Sequence, residues 1–401
     1  MKGKGNALIA QAGGPTAVIN SSLSGMVTQA AQENNIDRVY GCRWGMYGLL
    51  NELFIDLSRE DVQVIQGLKT TPSSALGSSR YKLAEKDMPR VLEIFKKHQI
   101  HYFLGIGGND TMLNVFQIEH FCRKNQYELF GMGCPKTVDN DLFGTDHTPG
   151  FPSAARYVAL SVLQAGILAR DMQKVDSFSV YQSIGRDAGW LAAAAYAAKK
   201  EEADPPHIIL IPEVPFNEEN FFKQFEYSLQ KFRYVSIVCG EGIAYADGKP
   251  VSASNVKDPF SNIEFGAMGG TSAALVLHRM IRNQYEFRGE FQIPESLAMC
   301  AADRAVTHDI EEAFRLGQSA VLNAAHGVSG LMTTLVRQSD QPYRVEIGTI
   351  PLNEVAAKTK PIPREWIAEQ GLMVNEKFGE YIRPLVGPMP EYAKLGYYSI
   401  I

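Results

Sequence analysis

The sequence predicts an α/β fold with parallel sheets divided between two halves. Short apolar runs alternate with stretches of helix length, and each run ends in a glycine-rich or polar turn. That alternation is the pattern of βα units. The chain has 401 residues, enough for two or three units of about 150 residues each. Its 35 glycines, somewhat above the usual frequency, fit the tight loops such a fold needs.

Taken in order, residues 7–12 run into Gly13-Gly14, 101–106 into Gly107-Gly108-Asn109-Asp110, and 129–134 into Pro135-Lys136-Thr137. Residues 178–184 run into Gly185-Arg186, 208–211 into Pro212-Glu213, and 235–239 into Gly240-Glu241-Gly242. Between them, residues 88–98 place Leu92 and Phe95 on one helical face, and 153–171 read as a longer helix. The polar residues gather just after the strands, at the carboxyl ends where open α/β sheets bind ligands. Residues 144–152 carry two glycines and two prolines and are expected to form a hinge between the halves. From about residue 338 onward prolines become frequent, and a strand pair with a wrapping tail is expected there.

Composition narrows the function. Lys and Arg number 39 against 44 Asp and Glu, a formal net charge of −5. A nucleic-acid or membrane-surface partner demands a basic face and is not expected. A phosphate ligand needs only a local pocket of cations and N–H groups. No apolar run reaches the roughly 18–20 residues of a membrane span, and the apolar part of the N-terminus is too short for a signal-peptide core. The five cysteines are scattered, odd in number and without a C-x-x-C pair, as reduced packing thiols of a cytoplasmic protein would be. The histidines form no H-E-x-x-H, so a zinc site is not expected.

Three loops carry chemistry. In Gln11-Ala12-Gly13-Gly14-Pro15-Thr16 a strand breaks into two glycines before helix-forming residues begin. Such a turn lets backbone approach an anion at a helix N-terminus, although an ordinary βα turn reads the same way. Gly105-Ile106-Gly107-Gly108-Asn109-Asp110-Thr111 repeats the logic with oxygen-bearing side chains at the helix start. Helix capping is the plain alternative for Asp110 and Thr111. A functional carboxylate facing phosphate needs a cation between them, which points to Mg²⁺.

The most informative loop is Pro135-Lys136-Thr137-Val138-Asp139-Asn140-Asp141. One cation, one hydroxyl and two carboxylates follow a single strand. Phosphoryl transfer requires neutralised charge, a positioned donor and a base for the acceptor hydroxyl. Lys136 suits the first task and Asp139 the last. A capped loop with an internal ion pair is the bland alternative. Arg80, after the polar loop 72–79, could reach a phosphate, and Arg186 and Glu241 end two further strands.

Together, in this order and spacing, these segments resemble the phosphofructokinase family, most closely its pyrophosphate-dependent branch. The resemblance implies two doubly wound Rossmann-like α/β domains with the active site in the cleft, and a homodimer or homotetramer. Residues 1–150, with about 271–330, would form the donor domain, 151–270 the acceptor domain, and 331–401 a C-terminal wrapping segment. The implied reaction moves a phosphoryl group from pyrophosphate to the 1-hydroxyl of fructose 6-phosphate. Asp139 would be the base, with Lys136 and Thr137 catalytic beside it. Gly14, Arg80, Gly108, Asp110 and Lys136 would hold the donor. Thr137, Asp139, Gly185, Arg186 and Glu241 would hold the acceptor. Asn109, Asp110 and Asp141 would hold Mg²⁺. Aspartate at 110 and lysine at 136 mark the pyrophosphate branch, because ATP-dependent members have glycine at 110 and usually at 136.

The chain also departs from the family pattern. Asn109 stands where aspartate is more common. In Glu264-Phe265-Gly266-Ala267-Met268-Gly269-Gly270, Phe265 and Met268 replace the His/Tyr and Arg that bind the 6-phosphate. Ser177 occupies a position where a basic residue is expected, leaving Lys174 or Lys257 as substitutes. At this level the acceptor stays open between fructose 6-phosphate, another sugar and a polyol, and a non-catalytic regulatory homologue is a further alternative.

Overall fold

The computed structural model describes residues 4–79, 81–252, 269–356, 358–393 and 395. Eleven strands are present among them: β1 (Gly5–Gln11), β2 (Ile36–Cys42), β3 (Phe54–Asp56), β4 (Ile100–Gly107), β5 (Phe130–Pro135), β6 (Phe178–Ser183), β7 (Ile208–Leu210), β8 (Val235–Gly240), β9 (Gly289–Gln292), β10 (Leu331–Asp340) and β11 (Tyr343–Pro351). They form two sheets, a seven-stranded one in the order β11-β10-β5-β4-β1-β2-β3 and a four-stranded one in the order β7-β8-β6-β9. The second sheet is parallel throughout. The first is parallel from β10 to β2, with β11 and β3 antiparallel at its two edges.

Both faces of each sheet are covered, so its strands are apolar on both sides. Along β1, Ala7 and Ile9 join one core with Leu104 and Met132, while Leu8 and Ala10 join the opposite core with Phe103. Each large apolar side chain buried this way contributes about 1.5–3 kcal/mol before chain entropy is subtracted. In the second sheet Val180, Ile208 and Ile237 face one core, and Tyr181, Ile209 and Val238 the other.

One helix crossing anchors the first unit. The helices Ile19–Ala30 and Thr307–Ala325 pack so closely that a Cβ on Gly25 would lie 2.1 Å from the Phe314 carbonyl oxygen. A Cβ on Gly317 would lie equally close to the Ser22 carbonyl. Only glycine fits at either position.

Sheet membership divides the 271–330 segment that the sequence reading allotted whole to the donor half. The helix Ala273–Tyr285 and β9 pack on the second sheet, and the chain returns to the first with Thr307–Ala325. The expected C-terminal strand pair is β10–β11, and it extends the first sheet through parallel pairing of β10 with β5. Residues 144–152 link Asp141 to the helix Phe151–Asp171, which lies against the second sheet. Within this link His147 is fully buried between Asp146 (2.8 Å) and Glu312 (2.9 Å), and Arg337 grips Asp146 at 2.9 Å. All five cysteines are free thiols. No helix among the described residues is long and apolar enough to cross a membrane.

Candidate active site

The parallel pairing of β1, β4 and β5 brings their carboxyl ends, and the three polar loops, to one edge of the sheet. Gly13 takes φ +79°, a left-handed turn that glycine adopts without strain. The turn aims the Gly14 carbonyl at Lys136, whose Nζ donates to it at 2.6 Å. The Lys136 backbone N–H in turn donates to the Gly107 carbonyl at 3.0 Å. Lys136 is 3% exposed. Burial pushes its ammonium down to about 8, against the pull of Asp139, Asp141 and Cys300. Lys136 thus shares a site of low dielectric, where charges act strongly, with the carboxyl groups of Asp139 and Asp141.

Asp139 lies in the same loop. Its backbone N–H donates to Thr137 Oγ1 at 3.1 Å, a local turn that fixes its orientation. Burial, helped by Asp141 and Glu241 and opposed by Arg186 and Lys136, pushes the Asp139 carboxyl up to about 7. A carboxyl tuned to that range can take a proton near neutral pH. Glu241 and Arg186 belong to the second sheet's loops, and both act electrostatically on Asp139.

The helix Asn109–Lys124 starts directly after the β4 loop. Asn109 Nδ2 donates to Asp141 at 2.9 Å, and burial raises the Asp141 carboxyl. Asn109 Oδ1 is buried and has no hydrogen-bond partner. An orphaned buried acceptor beside a carboxylate is a poor arrangement without a cation, and two oxygen donors suit Mg²⁺. Groups of three or more His, Cys, Asp or Glu side chains that could hold a metal are absent among the described residues. A magnesium ion would therefore draw further oxygens from phosphate and water. Asp110 stands apart: it is exposed and pairs with Lys82 at 3.2 Å.

On the second sheet, β6 and β8 end side by side. The backbone N–H groups of Gly185 and Arg186 both donate to Glu241 Oε1, at 3.1 and 2.9 Å. Glu241 thus shapes the loop that carries Arg186. The Arg186 side chain is exposed, on a backbone with φ +51°.

The structure thus joins Gly14, Lys136, Thr137, Asp139, Asn109 and Asp141 on one side with Gly185, Arg186 and Glu241 on the other. Gly108 caps the β4 loop, where Thr111 N donates to its carbonyl at 3.0 Å. Arg80, Lys257, Phe265 and Met268 lie outside the described residues. Lys174 lies away from the carboxyl-end loops of the second sheet. It precedes β6, a six-residue strand about 20 Å long, and so lies at the opposite edge from Gly185. Sequence reasoning missed Lys82, Lys360 and Tyr381. The cation-bearing, proline-flanked run Lys358-Thr359-Lys360-Pro361 was the available signal for Lys360.

Comparison with known proteins agrees with this geometry. The family profile described as phosphofructokinase matches residues 6–287. A pyrophosphate–fructose 6-phosphate 1-phosphotransferase of Methylococcus capsulatus is 36% identical, over 97% of this chain and 96% of the relative. The protein of the same name from Halomonas elongata is 34% identical, over 98% and 97%. The crystal structure of a pyrophosphate-dependent phosphofructokinase from Marinobacter aquaeolei superposes with a TM-score of 0.87 at 34% identity, covering 97% of this chain and 94% of that one.

Proposed function

The chain belongs to the phosphofructokinase family, and from that premise we propose that it transfers a phosphoryl group from pyrophosphate to the 1-hydroxyl of fructose 6-phosphate. The observation that carries the mechanism is the convergence of Lys136 and Asp139 from the first unit with Arg186 and Glu241 from the second. We assign the donor to the unit built on the first sheet and the acceptor to the unit built on the second.

In this reading Asp139 accepts the proton of the 1-hydroxyl as that oxygen bonds to the transferred phosphorus. The bridging P–O bond of pyrophosphate breaks, and inorganic phosphate leaves. Lys136, fixed on the Gly14 carbonyl, lies where negative charge is concentrated and needs no reorganisation to stabilise it. The exposed backbone at Gly13 and Gly14 lets the donor approach closely. Asn109 and Asp141 would hold Mg²⁺, which when bound neutralises phosphate charge and orients the donor. Arg186 offers a planar cation to the acceptor. A cytoplasmic homodimer or homotetramer completes the reading.

The test is phosphate release from pyrophosphate with fructose 6-phosphate and Mg²⁺, run beside ATP as donor. Fructose 1,6-bisphosphate is the expected product. ATP turnover equal to or above the pyrophosphate rate would overturn the donor assignment.

A further inference from the structure

The C-terminal segment read from sequence as a wrapping tail contributes a half-buried lysine directly behind the catalytic loop. Lys360 Nζ donates to Asn140 Oδ1 (3.1 Å), the Thr145 carbonyl (3.1 Å) and the Asp146 carbonyl (2.8 Å). Three acceptors match the three N–H groups of an ammonium, whereas a neutral amine has only two. The Lys360 backbone N–H donates to the Asp141 carbonyl at 2.8 Å, and Thr359 bridges Leu142. Each residue from Asn140 to Leu142 is thus tied to this segment.

Asn140 is the residue that needs holding. It lies between Asp139 and Asp141 with φ +55°, a left-handed conformation that asparagine tolerates but does not enforce. Its side chain is fully buried and hydrogen-bonded through both Oδ1 and Nδ2. Oδ1 accepts from Lys360 and from Thr148 N (3.1 Å), and Nδ2 donates to Tyr381 OH (3.0 Å). Tyr381 OH passes its own hydrogen to the Asp146 carbonyl at 2.9 Å. The same segment also grips the second unit. Trp190 Nε1 donates to the Lys360 carbonyl at 2.8 Å, and the Lys360 ammonium lies 5.0 Å from the Trp190 ring. Ile362 N–H approaches Glu213 at 3.4 Å.

We propose that Lys360, acting with Tyr381 through Asn140, is a positioning residue for phosphoryl transfer: it locks the left-handed turn that aims Asp139 at the acceptor hydroxyl and ties that turn to the acceptor unit. A displacement of about 1 Å at a reacting group can cost on the order of 10²-fold in rate, so a lock of this kind acts on kcat. Both side chains are taken up by protein partners, so the expected effect falls on kcat rather than on the Michaelis constants. The inference rests on the proposed function.

The test compares Lys360→Gln, Tyr381→Phe, Asn140→Ala and the Lys360→Gln/Asn140→Ala double variant with the wild-type chain. The assay uses pyrophosphate, fructose 6-phosphate and Mg²⁺, normalised to folded protein by circular dichroism. Lys360→Gln should lower kcat at least tenfold, with both KM values within about threefold of wild type. Tyr381→Phe keeps the buried ring, so it remains informative if Lys360→Gln fails to fold; it should lower kcat at least threefold. The double variant should be no worse than the poorer single one, because both changes break one lock. Folded variants with kcat within twofold of wild type, or losses that appear only in KM, overturn the inference and leave the functional reading intact. A wild-type chain that turns over no pyrophosphate overturns both.

Discussion

The two edges that meet at the active site are built differently. On the donor edge Lys136 is almost fully buried, its ammonium is fixed on a carbonyl, and Asn109 and Asp141 are bonded to each other. On the acceptor edge, among the described residues, Glu241 fixes the backbone of Gly185 and Arg186, and the Arg186 side chain extends from an exposed position. The difference follows from the chemistry. The charge of a pyrophosphate is stabilised best by groups that need not reorganise, and those must be held by protein. The sugar must enter and leave, and a side chain that closes on it can be free beforehand. Removing groups from the donor edge should therefore damage turnover most, and removing groups from the acceptor edge should chiefly weaken binding.

The largest effect is expected at Asp139. Asp139→Asn should lower kcat by about 10²–10⁴, the usual span for a lost general base, with the fold retained. Retention of more than a tenth of wild-type kcat would remove Asp139 from that role. Stability supplies an independent readout in metal-free protein. The folded carboxyl sits at about 7 against an ordinary 3.8, so the folded state holds the proton more tightly than the unfolded chain does. Wild-type stability should therefore fall relative to the variant as pH rises from about 4 to about 7. Asp139→Asn should melt above wild type at pH 8 and level with it at pH 4. The reverse order would mean that the carboxylate is stabilised in place.

These groups were legible in the sequence to different degrees, for physical reasons. Glycine turns after apolar runs announce the βα loops, because few other residues allow the backbone of Gly13. Lys136, Thr137, Asp139 and Asp141 were legible because local spacing places them on one loop. Long-range geometry was not. The Asn109–Asp141 bond spans 32 positions, and the Lys360–Asn140 bond spans 220. Nothing in the local pattern around Lys360 says that its ammonium will turn inward onto Asn140, and the proline-rich context reads as surface chain. The division of 271–330 between the sheets was equally hidden, since a helix on either sheet has the same apolar periodicity.

At Lys136 the expected loss lies in turnover and pyrophosphate use, with the acceptor's KM left in place. Lys136→Met replaces a buried cation by an apolar chain of similar length, so the fold should hold. Charged hydrogen bonds are worth roughly 1.5–3 kcal/mol, which corresponds to about 10–150-fold in kcat/KM for pyrophosphate. The KM for fructose 6-phosphate should change less than about threefold. A rise in the fructose 6-phosphate KM as large as the loss in pyrophosphate use would erase the distinction between the edges. Arg186→Ala should show the complementary pattern. The KM for fructose 6-phosphate should rise about tenfold, equivalent to ~1.4 kcal/mol, with the pyrophosphate KM unchanged.

The smallest effect is expected at Asp110, and it separates burial from mere presence on the donor edge. Asp110 belongs to the loop that feeds Lys136, yet its side chain is 68% exposed and its partner Lys82 is 51% exposed. An exposed pair of this kind contributes about 0–1 kcal/mol, and an acidic residue in a first helical turn adds roughly 0.3–1 kcal/mol. Alanine returns part of that through its higher helix propensity. Asp110→Ala should therefore shift stability by under about 1 kcal/mol and lower kcat/KM for pyrophosphate less than tenfold. It should not by itself confer ATP use, because Lys136 still fills the site behind it. The Asp110→Gly/Lys136→Gly double variant should lose pyrophosphate use, and ATP turnover is looked for there. If Asp110→Ala alone costs as much as Lys136→Met, then exposed charge matters as much as buried charge at this edge, and preorganisation is not what distinguishes the two halves. If Asp110→Ala alone gains ATP turnover, the exposed carboxylate is the gate and Lys136 serves only the compact donor.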